Sequence, residues 1–167
     1  MGTSDVWYGV LTSLEDQSEP RIRASDHPFF RGLTPSWVEA VSRGSDDAIY
    51  DAGELIVREG EVANRLYLVF HGQISVEVSG PSGRRWTVQT IGPGEVLDWS
   101  AVVPPHVWRF DGRALQETRV VSLDATVLRR ALETHPADGY RFLARLIPIL
   151  GRRLENARNR LVAATDA

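Results

Sequence analysis

The stretch Leu66-Tyr67-Leu68-Val69-Phe70-His71-Gly72-Gln73-Ile74-Ser75-Val76-Glu77-Val78 decides the fold. Two runs rich in β-branched and aromatic residues, each with two-residue alternation, meet at a glycine, as in two strands joined by a tight turn. Leu66, Leu68 and Phe70 fall on one face and Tyr67 and Val69 on the other, supplying core faces. The pattern repeats outward. Ala48-Ile49-Tyr50 and Leu55-Ile56-Val57 precede it, and Trp86 to Ile91, Trp108 to Leu115 and Arg119 to Leu123 follow. Turn signals at Gly53, Gly60, Gly80-Pro81-Ser82-Gly83 and Gly92-Pro93-Gly94 separate the runs. Short strands so regularly spaced predict an antiparallel sandwich or barrel of the jelly-roll kind, a closure that manages sheet edges.

Helical signals flank this region. Thr34 as N-cap and Pro35 at the first helical position open a helix carrying Trp37, Val38 and Val41, which Gly44 ends. Asp124 caps a second helix reaching His135, and Pro136 opens a longer one towards Ala164. Met1 to Ser25 reads as an N-terminal arm or short docking helix. The expected organisation is therefore an arm over 1–25, a β-roll domain over 26–135 and a C-terminal helix over 136–167. Along that last helix Leu143, Ile147, Leu150, Leu154, Ala157 and Leu161 alternate four and three apart. That is the rhythm of a coiled-coil seam and predicts a homodimer; the alternative is packing on the chain's own β-roll. Pro148 within it predicts a bend near Ile147, because an interior proline costs about 3 kcal/mol.

Composition narrows the function. The chain has 167 residues, no Cys and a formal net charge of −3. Thiolate chemistry, disulfides and Cys-ligated metals are excluded, and a general electrostatic attraction to nucleic acid is not expected. Every basic residue is Arg, which removes Schiff-base and phosphate-loop lysines and is what a GC-rich genome would produce. His27, His71, His106 and His135 are widely separated, with no His-x-His pair for a cupin-like metal site. No Gly-x-Ser-x-Gly elbow occurs. The first thirty residues carry no leader pattern and no apolar run is long enough to span a bilayer, so a cytoplasmic, non-enzymatic protein is expected.

The order helix, β-roll, helix, long helix, together with Asp51-Ala52-Gly53-Glu54, Ile56, Glu59-Gly60-Glu61, Ala63, Leu66-Tyr67-Leu68-Val69, Gly72-Gln73-Ile74-Ser75-Val76 and Ile91-Gly92-Pro93-Gly94-Glu95-Val96, resembles the cyclic nucleotide-binding domain of the catabolite-activator and protein-kinase regulatory families. The resemblance covers about 28–160. It implies a mainly β fold with flanking helices: an antiparallel jelly roll, or double-stranded β-helix, of the cyclic nucleotide-binding type followed by a long C-terminal helix. It also implies a phosphate-binding cassette in which a short helix offers backbone N–H groups, a Glu accepts the ribose hydroxyl and an Arg pairs with the phosphate.

In this chain the cassette is expected over Gly94, Glu95, Val96, Leu97, Asp98, Trp99, Ser100, Ala101 and Val102, closing with Trp108, Arg109, Phe110, Arg113 and Ala114. Counting from Gly94, the family's Gly-Glu pair falls on Asp98-Trp99; counting back from Arg113-Ala114, its Arg falls on Trp108. Strand alternation turns Trp108, Phe110, Gly112 and Ala114 inward and Arg109, Asp111 and Arg113 outward. Either Arg109 or Arg113 would reach a phosphate only if a bulge shifted the register. Asp98 reads as an N-cap whose carboxylate competes with phosphate. Trp99, Val102, Val103, Trp108 and Phe110 would then form an apolar lining, either filled or open to cAMP or another small, flat ligand. The expected protein is a regulatory or sensor module. It is expected to carry no helix-turn-helix after the long helix and to signal through a separate effector protein. A cAMP-binding protein and a pure dimer module are the alternatives.

Overall fold

The computed structural model describes residues 21–165, so most of the expected N-terminal arm lies outside the described residues. Eight strands form: β1 (Asp46–Tyr50), β2 (Leu55–Val57), β3 (Arg65–His71), β4 (Ile74–Ser79), β5 (Arg85–Ile91), β6 (Val96–Leu97), β7 (Asp111–Ala114) and β8 (Thr118–Asp124). They make two four-stranded antiparallel sheets, ordered β1-β8-β3-β6 and β2-β7-β4-β5. Helices α1 (Pro35–Val41), α2 (Ala125–Thr134) and α3 (Pro136–Thr165) flank the roll.

Alternation along β3 decides the layering. Leu66 and Leu68 turn to a helix-side core with Trp37, Val38, Leu128, Phe142 and Leu146. Tyr67 and Val69 turn into the roll interior with Ile74, Ile91 and Val120. Because both faces are covered, β3 carries an apolar residue at nearly every position. The turn after β3 needs its glycine: Gly72 has φ +86°, and a Cβ there would meet the Thr118 side chain and the Glu117 carbonyl.

The helix starts follow the sequence signals, with one difference. Asp124 accepts from the Thr126 and Val127 amides at 2.8 and 2.9 Å and caps α2. Thr34 precedes Pro35 as expected, but its hydroxyl donates to Asp138 of α3 at 2.6 Å instead of accepting from its own helix. It joins two helices where sequence alone suggested a local cap. Helix α3 is continuous through Pro148. The expected strand from Trp108 to Leu115 shortens to Asp111–Ala114, preceded by a single bridge between Val62 and Val107. Here the chain leaves the sheet to carry Trp108 and Phe110 into the interior.

His27 is a buried connector that the sequence did not reveal. Its Nδ1 accepts the Phe29 N–H at 3.2 Å, which leaves Nε2–H to donate to the Val69 carbonyl at 3.0 Å. The same carbonyl accepts the Gly94 amide at 2.9 Å, so the segment before α1 is tied to the turn leading into β6. Burial pushes the His27 pKa down, against a smaller upward effect of the Val69 bond. The unfolded chain then binds a proton that the folded chain refuses, so this contribution is complete above about pH 6.5 and is lost as pH falls through the folded pKa. Urea unfolding at pH 7.5 and 5.0 is expected to show a loss of stability in the wild type that is smaller in His27→Ala; equal losses would refute this assignment.

Candidate functional site

The segment following β6 is where the resemblance places ligand recognition, and the structure gives it an unusual geometry. Asp98 is fully buried with φ +76°. That left-handed conformation is easy for glycine and uncommon for a side-chain-bearing residue. Counting from Gly94, this is the position where the resemblance places a Gly.

The Asp98 carboxylate turns onto its own backbone. Its Oδ1 accepts the Ser100 amide at 2.6 Å. No helix forms behind it: Val102 and Val103 donate to the Trp99 carbonyl at 3.0 and 3.2 Å, giving a single turn before Pro104-Pro105. The reading of Asp98 as the N-cap of a cassette helix is therefore corrected: it closes a turn by accepting the Ser100 amide. Burial raises the Asp98 pKa, opposed by its bonds to Ser100 and by the positive charge of Arg153. Oδ2 has no hydrogen-bond partner among the described residues. A second anion beside this carboxylate would meet like charge in a poorly solvated place.

The expected apolar lining does not form one surface. Trp99 and Val102 pack on the helix-side core with Val96 and Ala101. Trp108 and Phe110 belong to the roll interior with Leu97 and Ala114, and Val103 is exposed. Neighbouring residues of β6 face opposite layers, so the two tryptophans are divided between them. Trp108 is 6% exposed, lies 6.5 Å from the Tyr67 ring by centroid, and leaves its Nε1 without a partner among the described residues.

The two arginines weighed as substitutes are not brought to Asp98. Arg113 faces outward, donating to Glu77 at 3.3 Å and to the Gly53 carbonyl at 2.8 Å. Arg109 is exposed on the surface. Of the cassette residues, Gly94 and Glu95 form the turn into β6: Glu95 Oε2 accepts the Gly92 amide at 2.7 Å.

Arg153, which with Arg152, Arg158 and Arg160 reads in the sequence as a solvated helix face or a salt-bridged dimer rim, is placed differently by the structure. It reaches from α3 to the Val96 carbonyl at 2.6 Å, where Glu95 and Asp98 lie close enough to favour its charge. Burial opposes that charge and lowers its pKa. The usable signal was a second helical stripe, Phe142, Leu146, Ile149 and Arg153, whose first three members pack on the core. The first stripe is a different surface. Leu143, Ile147, Leu154 and Leu161 are exposed, at 38%, 63%, 72% and 69%, and Ala157 is exposed beside a half-buried Leu150. The alternative that this seam packs on the chain's own β-roll does not hold.

No helix among the described residues is long and apolar enough to cross a membrane, and no group of His, Asp and Glu is arranged to hold a metal ion.

The eight-stranded antiparallel roll closed by a long helix, with a Gly-Pro-Gly-Glu turn leading into the segment after β6, is the architecture that the sequence resemblance implies. The sequence profile of the cyclic nucleotide-binding domain matches residues 48–135, and the chain belongs to that family. The "CRP-like cAMP-activated global transcriptional regulator" of Mycobacterium tuberculosis is 27% identical over 133 residues, covering 80% of this chain and 58% of that protein. The "Cyclic AMP receptor protein" of Thermus thermophilus is 26% identical over 130 residues, covering 78% of this chain and likewise 58% of its own length. The chain thus spans a little over half of these curated relatives. In fold it is similar to the sensor domain of the transcriptional regulator DNR from Pseudomonas aeruginosa, with a TM-score of 0.65 at 18% identity, covering 78% of this chain and 88% of that one. These relatives are regulators and sensors.

Proposed function

We propose that this chain is a non-enzymatic regulatory module that has the cyclic nucleotide-binding fold but does not take a cyclic nucleotide in the family's manner. It pairs with a second copy through the outer stripe of α3 and is read by a separate effector protein. The observation that carries the reading is the Asp98 carboxylate on the Ser100 amide, at a position where the resemblance expects Gly and an incoming phosphate. Two further features support it. Trp108 is buried where the resemblance expects an Arg, and Arg113 is committed to Glu77 and Gly53 on the other face.

Pairing rests on exposure. A half-helical seam of leucine and isoleucine left in water is unfavourable by about 25 cal/mol per Å² of apolar surface, and a second copy removes that surface from water.

The double variant Asp98→Gly, Trp108→Arg tests the cassette assignment. It clears the carboxylate, restores a residue suited to φ +76° and places an Arg in the roll interior where the resemblance expects one. Calorimetric titration with cAMP is expected to give binding in the variant, at least about tenfold tighter than any in the wild type, the equivalent of about 1.4 kcal/mol. A folded variant with no gain would refute the register on which the reading depends.

A further inference from the structure

Between α3, β5 and the turn into β6 lies a cleft of about 270 Å³. Three guanidinium groups line it, those of Arg152, Arg153 and Arg160, against one carboxylate, that of Glu95. Several arginines of the roll lie against carboxylates, as Arg65 does against Asp46 at 2.8 Å and Arg113 against Glu77 at 3.3 Å. Among the described residues no carboxylate lies within salt-bridge distance of Arg152, Arg153 or Arg160. Glu95 and Asp98 act on Arg153 from beyond ion-pair distance, so the three cations are only partly balanced, in a chain whose net charge is −3.

The cleft is also preorganised. Arg153 is held by the Val96 carbonyl, and Arg160 donates to the Thr87 and Val88 carbonyls of β5. Each guanidinium has five donors, so these bonds fix its plane and leave donors over. Arg153 Nε is buried with no partner among the described residues. The Gln89 and Asn156 amides, which also line the cleft, make no side-chain hydrogen bond among the described residues. Glu95, the one acid in the wall, spends an oxygen on the Gly92 amide.

We propose that this cleft is a binding site for a small phosphate-bearing solute of at least two negative charges, separate from the cassette. Arginine's planar fork suits phosphate oxygens, and the amides suit the polar remainder of the molecule. The cleft lies at the lower edge of the size range for small-molecule sites, about 300–1,000 Å³, so the solute is compact. Because Arg153 and Arg160 also hold α3 against the roll, an anion bound there favours the docked position of α3 and thereby the presentation of its outer stripe.

The test is calorimetric titration of the wild-type chain with inorganic pyrophosphate at low ionic strength, against sodium chloride at matched ionic strength. Saturable binding of one pyrophosphate per protomer is expected. The Arg152→Gln variant is expected to weaken it about tenfold or more, since it removes one charge-assisted contact. Arg152 is exposed with no hydrogen bond among the described residues, so its replacement leaves the fold intact. The Arg158→Gln variant, equally exposed but outside the cleft, is expected to bind as the wild type does. Absence of binding up to about 10 mM, equal weakening in the two variants, or equal heats with sodium chloride would overturn the proposal. So would binding that Arg152→Gln leaves unchanged and Trp108→Arg alters, because that would place the anion in the cassette.

Discussion

Replacing Phe142 with alanine is expected to cost about 3–5 kcal/mol, the range for deleting a fully buried phenylalanine. Phe142 has no solvent exposure and is the first core residue of α3. Its ring meets Phe29 edge-on at 5.1 Å and Trp37 at 5.8 Å, joining the segment before α1, α1 itself and α3 around one side chain. Leu66, Leu68 and Leu128 complete the same cluster. Removing the ring loses its transfer free energy and leaves a cavity walled by three elements that cannot all collapse together. For a chain of this length the melting temperature should drop by roughly 10 °C. Thermal denaturation followed by circular dichroism checks this. A loss below about 1 kcal/mol would mean that α3 does not rest on the roll as described.

The second large effect is on association. Ile147 and Leu154 are exposed at 63% and 72% on the outer stripe of α3 and take no part in the protomer's own core. Glutamate at both positions is expected to leave helix content and melting of the protomer fold nearly unchanged while weakening self-association by about a thousandfold or more. A two-fold interface removes both residues twice, and each buried leucine or isoleucine side chain is worth about 1.5–3 kcal/mol. Sedimentation velocity at micromolar concentration is expected to show a dimer for the wild type and a monomer for Ile147→Glu, Leu154→Glu. A monomeric wild type, or a variant that stays dimeric, would refute the pairing proposed for α3.

Much of the fold was legible in the sequence because its signals are local and agree. The alternation of β3, the glycine at 72, the Asp124 cap and Pro136 each act within a few residues, and all point to a roll followed by helices. Trp108 and Phe110 face inward, but from a segment outside the strand whose alternation was expected to turn them, and Asp111, expected to face outward, is buried. What escaped were contacts made across the fold. Thr34 looks like a cap until Asp138 is placed beside it, and Arg153 looks like a solvated helix charge until the Val96 carbonyl is placed under it. His27 bonds a carbonyl 42 positions away, for which a single sequence offers no periodicity.

The cassette shows the same division. Counting from Gly94 places the resemblance's Gly at Asp98, a position with φ +76°. The division of the apolar lining was not legible, because Val96 and Leu97 face different layers and divide Trp99 from Trp108. Nor did the residue pattern show that Asp98 would turn back onto the Ser100 amide, since that depends on the left-handed backbone it adopts.

Calorimetric titration of the purified wild-type chain with cAMP and cGMP tests the central claim most directly. If Asp98 holds the cassette amide and Trp108 fills the place of the phosphate-pairing Arg, neither nucleotide gives saturable heat at concentrations up to about 1 mM, a limit near −4.1 kcal/mol of binding free energy. Micromolar binding of either one would contradict the account, showing that this cassette still recognises the cyclic phosphate.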